Sequence, residues 1–182
     1  MVVTSRNYTY DDLADTPDDG QRYEIIGGEL FVSPSPILDH QRVLSRLHVW
    51  LANFVWEHEL GEVLVGPTDV FFAETDVVVP DVLFVARDRS DLLHRRYVAG
   101  APDLVIEVLS PKTRRRDLGI KKALCAAYGV AEYWIADPSA RTLEVWTLVE
   151  GGYELVEQTG DMVRSLVVPG FEVALADLFA LM

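Results

Sequence analysis

Two acidic residues, Asp81 and Glu107, lie within runs of residues that are otherwise apolar. Asp81 separates VVVP at 77–80 from VLFV at 82–85, and Glu107 is enclosed by LVI and VL. An ionised carboxylate is rarely buried without compensation, because its removal from water is costly. Two such carboxylates on neighbouring strands would meet at one point and supply the oxygen ligands that Mg²⁺ prefers. The pattern therefore predicts a divalent-metal site at Asp81 and Glu107.

The same two positions also permit a simpler interpretation. An acid within a strand is often half solvated at the strand end or paired with an arginine. Asp81 follows Pro80, and proline is common at strand starts and sheet edges. The residues alone leave both interpretations open.

A lysine on the next predicted helix, at 117–128, could complete the site. On a helical wheel Lys121 falls on the flank of the apolar stripe, whereas Lys122 falls nearly opposite the stripe. We therefore expect Lys121 to reach the acids, where it could orient a water molecule or stabilise charge on a phosphate. The alternative is a solvated i,i+4 ion pair between Asp117 and Lys121. The stripe consists of Ile120, Ala123, Leu124, Ala127 and Tyr128.

Apolar periodicity and turn residues predict the elements that must position these groups. Apolar runs around Gly27-Gly28 predict a hairpin, three- and four-residue spacing predicts a helix over 39–58, and a nearly continuous apolar run predicts a fully buried strand over 77–85. The order of elements predicts an α+β or mixed α/β fold, with a central mixed sheet, flanking helices and added β-hairpins. Further strands are predicted at 63–65, 69–73, 103–109 and 132–136, a hairpin at 141–158 and an amphipathic tail at 171–181.

Composition limits the possible classes of protein. The 182 residues, 49% of them hydrophobic, are enough for one domain over 1–182, whose residues 1–20 form an acidic lead-in. The formal net charge of −13 disfavours a protein held on nucleic acid by its overall field, although a local basic patch stays possible. Cys125 is the only cysteine, and there is no signal-like or membrane-spanning apolar segment, so we expect a cytoplasmic location without membrane association.

The ordered motifs resemble the Uma-type putative restriction endonuclease family of the PD-(D/E)xK nuclease superfamily. The resemblance runs from about residue 23 to the C-terminal tail, and it implies a restriction-endonuclease-like core, a divalent metal and a phosphodiester substrate. It also implies that Asp81 is the motif aspartate and Glu107 the motif acid. The matching segments are YEII at 23–26, GEL at 28–30, His40-Gln41, Val79-Pro80-Asp81, PDLVIEVLSPKT at 102–113, Asp117 with Lys121, and GVAEYWIADP at 129–138.

One position departs from the superfamily motif. The usual motif places lysine two residues after the acid, and here that residue is Leu109. Members of the resembled family look as though this lysine has migrated to the following helix, and Lys121 is the residue that matches. Glu29 and His40 match recurring family positions and, with Asp117, are secondary candidates for the site.

The hypothesis is therefore a Mg²⁺- or Mn²⁺-dependent endonuclease, with DNA as its expected substrate. Asp81, Glu107 and the Val108 carbonyl would hold the metal, and Lys121 would act on the water or the phosphate. A basic run could supply the local nucleic-acid contact or could simply be a solvated turn. This run is Arg114, Arg115 and Arg116.

Two other functions stay open. A catalytically inactive nuclease-fold module for binding or regulation would suit the charge of −13. A metal-dependent hydrolase of small phosphate esters would need a narrow, closed pocket. The resemblance also implies a homodimer, for which Trp134, Trp146 and the hairpin at 141–158 could supply an interface.

Overall fold

A six-stranded sheet forms the centre of the computed structural model, which describes residues 7–180. The strands Leu104–Val108 and Glu132–Asp137 pair in parallel and the other neighbouring strands pair antiparallel, so the sheet is mixed, as predicted. In spatial order, with numbers in chain order, its strands are β11 (Gly152–Leu155), β10 (Thr142–Val149), β9 (Glu132–Asp137), β8 (Leu104–Val108), β6 (Val82–Ala86) and β3 (Gly61–Val65).

A second sheet of five strands and a separate two-stranded hairpin complete the β structure. The hairpin consists of β12 (Met162–Arg164) and β13 (Glu172–Ala174). The predicted hairpin around Gly27-Gly28 is confirmed, and both glycines have positive φ angles of 59° and 76°. The five strands, in spatial order, are β2 (Glu29–Ser33), β1 (Arg22–Ile26), β5 (Asp76–Val78), β4 (Val70–Ala73) and β7 (Val98–Ala99).

Helix α1 (Leu38–Glu57) covers one face of the six-stranded sheet, close to the predicted bounds. Its apolar side packs into a core with Phe84, Leu104 and Trp134. Trp134 is completely buried, so the expectation that it contributes to a dimer interface is wrong. The opposite face of the sheet is covered by the five-stranded sheet and by a helix after β8. The central sheet is thus enclosed on both sides, and the predicted mixed architecture is confirmed.

The predicted strand over 77–85 is wrong, because the structure divides this apolar run between two sheets. Strand β5 belongs to the five-stranded sheet and β6 to the six-stranded sheet. The chain crosses between them at Val79-Pro80-Asp81, where Pro80 has no N–H group for a strand ladder. All residues from Val77 to Val85 are buried, so hydrophobicity gave no sign of the break.

The predicted helix over 117–128 is also interrupted. Helix α2 (Arg114–Leu118) ends before Gly119, and α3 (Ile120–Tyr128) begins after it. Gly119 has the non-helical angles φ −111° and ψ −103°, and a Cβ atom there would lie 2.8 Å from the Arg115 carbonyl oxygen. The predicted helix is therefore two helices, separated at Gly119.

Both the predicted lead-in and the predicted tail contain more secondary structure than the sequence indicated. A 3₁₀ helix spans Tyr10–Asp15 within the acidic lead-in, of which residues 1–6 lie outside the described part. The predicted amphipathic tail begins as strand β13 and continues as α4 (Leu175–Leu178), and Leu181 lies outside the described residues. Among the described helices, none has the length and hydropathy needed to cross a membrane.

The α1 packing gives a test of the fold. Leu47 is completely buried, so Leu47→Ala should lower the free energy of unfolding by about 2–5 kcal/mol through lost burial and a cavity. Val49 on the same helix is 49% exposed, and Val49→Ala should change it by about 0.5 kcal/mol or less. Urea unfolding measures both variants, and equal effects would contradict the assigned face of α1.

Candidate functional site

Asp81 and Glu107 face each other across neighbouring strands. Strands β6 and β8 are antiparallel, and Val82 pairs with Ile106. The next residues outward from this pair are Glu107 and Asp81, and the Asp81 side chain reaches both the Val108 amide and His40 of α1. Both acids are buried, with exposed fractions of 2% and 3%. The two acids predicted from sequence are therefore brought together.

Asp81 is held by three donors. Arg22 Nη1 lies 2.6 Å from Oδ1, whereas His40 Nε2 lies 3.1 Å from Oδ2 and the Val108 amide nitrogen 2.9 Å from Oδ2. Burial opposes ionisation of Asp81, but His40 and then Arg22 outweigh it and hold its pKa well below the ordinary value. The carboxylate is thus ionised, and it is paired with an arginine, as the simpler interpretation of this position proposed.

The ammonium group of Lys121 lies among buried acids. The charged side chains that meet here are called the buried cluster: Arg22, Glu24, Asp81, Glu107, Arg116, Asp117 and Lys121. The Lys121 ammonium nitrogen is 2.5 Å from Glu107 Oε1 and 2.7 Å from Glu24 Oε1, and it donates a 3.1 Å hydrogen bond to the Val79 carbonyl. Three acceptors therefore surround a group that has three donors. Burial alone would lower the pKa of Lys121, but Glu107 and Glu24 raise it above the ordinary value. The lysine is charged although only 1% exposed.

The route by which Lys121 reaches the acids differs from the wheel prediction. Lys121 and Cys125 form the buried side of α3, whereas Ile120 and Tyr128 of the predicted stripe are 45% and 38% exposed. Ala123 and Ala127 are also exposed, and Leu124 is half-buried. The helical wheel predicted the wrong buried side because it treats a lysine as a residue that faces solvent. Here the ion pairs with Glu24 and Glu107 stabilise Lys121 in the interior.

Glu24 is the participant that sequence reasoning missed. Its Oε1 accepts a 2.8 Å hydrogen bond from the Val79 amide as well as contacting Lys121, and its Oε2 lies 2.9 Å from Arg116 Nη2. Burial opposes ionisation, but Lys121 and Arg116 lower the pKa of Glu24 below its ordinary value. A signal existed, because Glu24 stands in the apolar run of β1 just as Glu107 stands in β8.

Glu107 carries the least stable charge of the cluster. Burial raises its pKa well above the ordinary value; Lys121 opposes this, while Asp117, Asp81 and Glu24 raise the pKa further. The cluster contains four buried carboxylates and three cations, so it has one negative charge in excess when all four are ionised. The carboxylates are Glu24, Asp81, Glu107 and Asp117. The cations are Arg22, Arg116 and Lys121.

The secondary candidates separate in the structure. Glu29 is exposed at the end of the first hairpin, where it pairs with Ile26, and it lies outside the buried cluster. His40 is 2% exposed and contacts Asp81. Asp117 is also 2% exposed, with Oδ1 3.5 Å from Arg116 Nε, and burial raises its pKa. The alternative interpretation of Asp117 and Lys121 as a solvated ion pair is therefore wrong, because both side chains are buried.

The three consecutive arginines have different surroundings. Arg116 has an exposed side-chain fraction of 12%, and it binds Glu24 and donates a 2.6 Å hydrogen bond to Ser33 Oγ. This corrects the expectation that Arg116 offers a surface contact. Arg114 is half exposed and forms an ion pair with Asp137, and Arg115 is exposed.

A cleft of about 460 Å³ leads from the surface to Asp81. Arg22 and His40 line it beside Asp81, whereas Glu107 and Lys121 lie behind them and do not line it. The remaining wall carries two acids, Asp18 and Asp69, and is otherwise uncharged. It includes Leu13, Pro17, Tyr23, Pro34, Leu44 and Pro67.

The donor set fits a hard divalent cation whose shell is completed by water. Within residues 7–180 no cluster of three or more His, Cys, Asp or Glu side chains is arranged to hold a metal ion. Mg²⁺, however, commonly takes one or two carboxylates and keeps several waters. Asp81 and Glu107 supply two carboxylates, and a cation would offset the burial and the carboxylate repulsion that raise the pKa of Glu107.

The ion pairs of Glu24 give a pH-dependent stability test. Glu24→Gln leaves buried Lys121 and Arg116 short of one charge, so the free energy of unfolding should fall by about 3 kcal/mol at pH 7. Because the folded pKa lies below the ordinary value of 4.5, this contribution is complete above pH 4.5 and is lost as the pH falls through the folded pKa.

Denaturant unfolding of both proteins from pH 7 down to about pH 3.5 measures the difference, which should shrink at the acid end. Glu172→Gln is the matched control, since it removes a half-exposed carboxylate paired with Arg164 and should cost about 1 kcal/mol or less. A deficit in Glu24→Gln that is independent of pH would show that charge is not its cause.

Comparison with known proteins supplies the family. The model of the Uma2 family, described as putative restriction endonuclease, matches residues 9–176. A search of curated proteins gave no match. The fold is similar to the crystal structure of a putative nuclease belonging to DUF820 from Anabaena variabilis ATCC 29413, with 21% sequence identity, a TM-score of 0.78, and coverage of 94% of this chain and 97% of that one.

At this identity the structural likeness shows the fold alone, and it confirms the nuclease fold that the sequence resemblance implied. The family match extends over almost all of the described chain. The protein therefore belongs to the Uma2 family of putative restriction endonucleases.

Proposed function

We propose that the protein is a metal-dependent endonuclease that hydrolyses phosphodiester bonds of DNA. The observation that carries this proposal is the buried contact of Lys121 with Glu107, which lies opposite Asp81 on the neighbouring strand. A structural ion pair needs one acid for one base. Here Glu24 already pairs with Lys121, and Glu107 is held in addition at a cost that cation binding would repay.

The residues divide between binding and orientation. Asp81, Glu107 and the Val108 carbonyl would hold Mg²⁺ or Mn²⁺. When bound, the ion would lower the pKa of a water molecule and neutralise charge on the scissile phosphate. His40 and the Val108 amide fix Oδ2 of Asp81, which sets the direction of the carboxylate at the end of the cleft.

Lys121 acts from behind the two acids. It is closed off from solvent, so its contact with Glu107 orients that carboxylate and adds positive charge where a phosphate becomes more negative during hydrolysis. The ion pair with the Glu24 carboxylate and the hydrogen bond to the Val79 carbonyl also hold the ammonium group in place. We propose that Lys121 thereby orients the attacking water or stabilises the transition state.

Contact with the nucleic-acid backbone is assigned to Arg114 and Arg115. Both are exposed at the start of α2, which follows the Glu107 strand, whereas Arg116 is taken by Glu24. A homodimer and a cytoplasmic location stay part of the proposal, with the buried, unpaired Cys125 compatible with a reducing compartment.

Two observations favour the alternative functions. The walled cleft that ends at Asp81 would suit a hydrolase of small phosphate esters. The three protein donors that already satisfy Asp81 would suit an inactive nuclease-fold module for binding or regulation.

Substitution of Glu107 tests the proposed site directly. Glu107→Gln removes one carboxylate ligand while preserving shape, and it should abolish Mg²⁺-dependent cleavage of plasmid and single-stranded DNA. Glu172→Gln, an exposed glutamate of β13, is the matched control and should retain activity. Gel assays with and without chelator measure cleavage, and equal cutting by Glu107→Gln and the original protein would refute the mechanism.

Neighbouring lysines give a second test. Lys121→Gln should lower kcat about 100-fold or more, as loss of one fixed electrostatic group does. Lys122→Gln removes the same charge from the adjacent residue, which packs over the Trp146 ring instead, and should leave kcat within about threefold. Circular dichroism checks that each variant is folded, and equal losses would contradict the assignment of Lys121.

Calorimetry separates the alternatives. An active metal site should bind Mn²⁺ with heat that disappears in both Asp81→Asn and Glu107→Gln. An inactive module should show no binding that depends on these acids, and a small-ester hydrolase should cleave a nitrophenyl phosphate ester in preference to DNA.

A further inference from the structure

We propose that Arg22 is an exchangeable counterion of Asp81: it holds Oδ1 until a divalent cation binds there, and it then contacts the phosphodiester anion in the cleft. This inference rests on the proposed function, and it adds a residue that neither the family motifs nor the sequence patterns assign. It names Arg22 as the phosphate-binding group of the cleft.

The two oxygens of Asp81 are held in different ways. Oδ2 accepts from His40 and from the Val108 backbone amide, both on rigid elements, α1 and β8. Oδ1 is held at 2.6 Å by the Arg22 guanidinium, a long and flexible side chain. A cation can therefore reach Oδ1 by displacing one side chain while the contacts of Oδ2 keep the carboxylate in place.

Exposure distinguishes Arg22 from the other cations of the cluster. The Arg22 side chain is 23% exposed and lines the cleft, whereas Lys121 is 1% exposed and held by three acceptors. Arg116 is 12% exposed and is fixed to Glu24 and Ser33. Of the three cations of the described cluster, Arg22 is therefore the one that lines the cleft and has the largest exposed fraction.

The chemistry of the guanidinium group matches the second partner. A planar fork of N–H donors recognises phosphate as readily as carboxylate, often through two parallel hydrogen bonds. The contact with Asp81 uses Nη1, and Arg22 lines a cleft whose described lining includes no other lysine or arginine. A phosphodiester that enters this cleft would meet Arg22 before it meets the buried Lys121.

Electrostatics favour the exchange over simple addition of a cation. A divalent ion beside a retained Arg22 would place two like charges at one carboxylate, and a buried like-charge pair is unfavourable. Movement of Arg22 toward an anionic phosphate removes this repulsion. Cation binding and phosphate binding are therefore expected to strengthen each other.

Metal binding provides the first test and needs no catalytic activity. Arg22→Gln removes the competitor from Oδ1, so its affinity for Mn²⁺, measured by calorimetry or electron paramagnetic resonance, should rise about tenfold, equivalent to about 1.4 kcal/mol. Arg22→Lys retains a competing charge and should keep an affinity near that of the original protein. Unchanged or weaker Mn²⁺ binding by Arg22→Gln would overturn the proposal.

Arg164→Gln is the matched control, since it makes the same substitution in an exposed ion pair with Glu172 on the β12–β13 hairpin. Its Mn²⁺ affinity should not change. If it tightens binding as much as Arg22→Gln, the effect is one of net charge, and the exchange at Asp81 is refuted.

A measurement on the original protein covers the case in which Arg22→Gln does not fold. Arginine side-chain ¹⁵N signals are recorded during titration with Mg²⁺, and the Arg22 signal is assigned by its loss in Arg22→Lys. Mg²⁺ should increase the mobility of the Arg22 guanidinium, and dimethyl phosphate, a minimal phosphodiester, should then shift its signal. An Arg22 signal that responds to neither addition refutes the exchange.

The outcomes distinguish this inference from the proposed function. Tight Mn²⁺ binding by Arg22→Gln without any DNA cleavage by the original protein supports the exchange and refutes the endonuclease. DNA cleavage that Glu107→Gln abolishes, together with Mn²⁺ affinity unchanged in Arg22→Gln, supports the endonuclease and refutes the exchange.

Discussion

The ammonium group of Lys121 is the charge on which the buried cluster depends. It is enclosed with Glu24, Glu107 and the Val79 carbonyl, which belong to two different sheets and the segment that connects them. Without it, Glu107 would lose its contacting cation in a low-dielectric interior that also holds Glu24 and Asp81, at a cost of several kcal/mol in free energy. The contact therefore joins α3 to both sheets and makes the concentration of acids compatible with folding.

The crossing at Val79-Pro80-Asp81 gives this arrangement its geometry. The backbone of Val79 binds both Glu24 and Lys121, and two residues later the Asp81 side chain points toward the cleft. Since the chain passes from one sheet to the other at this point, charged groups from both sheets meet within a few residues. Asp81 lies at the solvent side of the cluster and Glu107 at its closed side, a difference that the two acids do not show in sequence.

Sequence reasoning identified much of the cluster for physical reasons. An acid among apolar residues must be compensated, and this rule selected Asp81 and Glu107, whose juxtaposition follows from strands β6 and β8. The same rule applies to Glu24, which was interpreted only as part of a hairpin strand. Lys121 was selected by the family resemblance and by its position on the flank of a predicted apolar stripe. Its burial agrees with the selection, although most of that stripe is exposed. Arg22 has no comparable sequence signal, because an arginine beside a turn is usually solvated.

The sequence by itself determined the α+β composition, the first hairpin, the long α1 helix and two of the buried acids, because these depend on local periodicity and on the cost of burying charge. Tertiary structure alone decided that one apolar run serves two sheets, that Gly119 divides a helix, and which of several arginines meets which acid. Those choices depend on partners far away in the chain. A charged side chain in the interior takes its position from the opposite charges around it, and these become neighbours only when the sheets have packed.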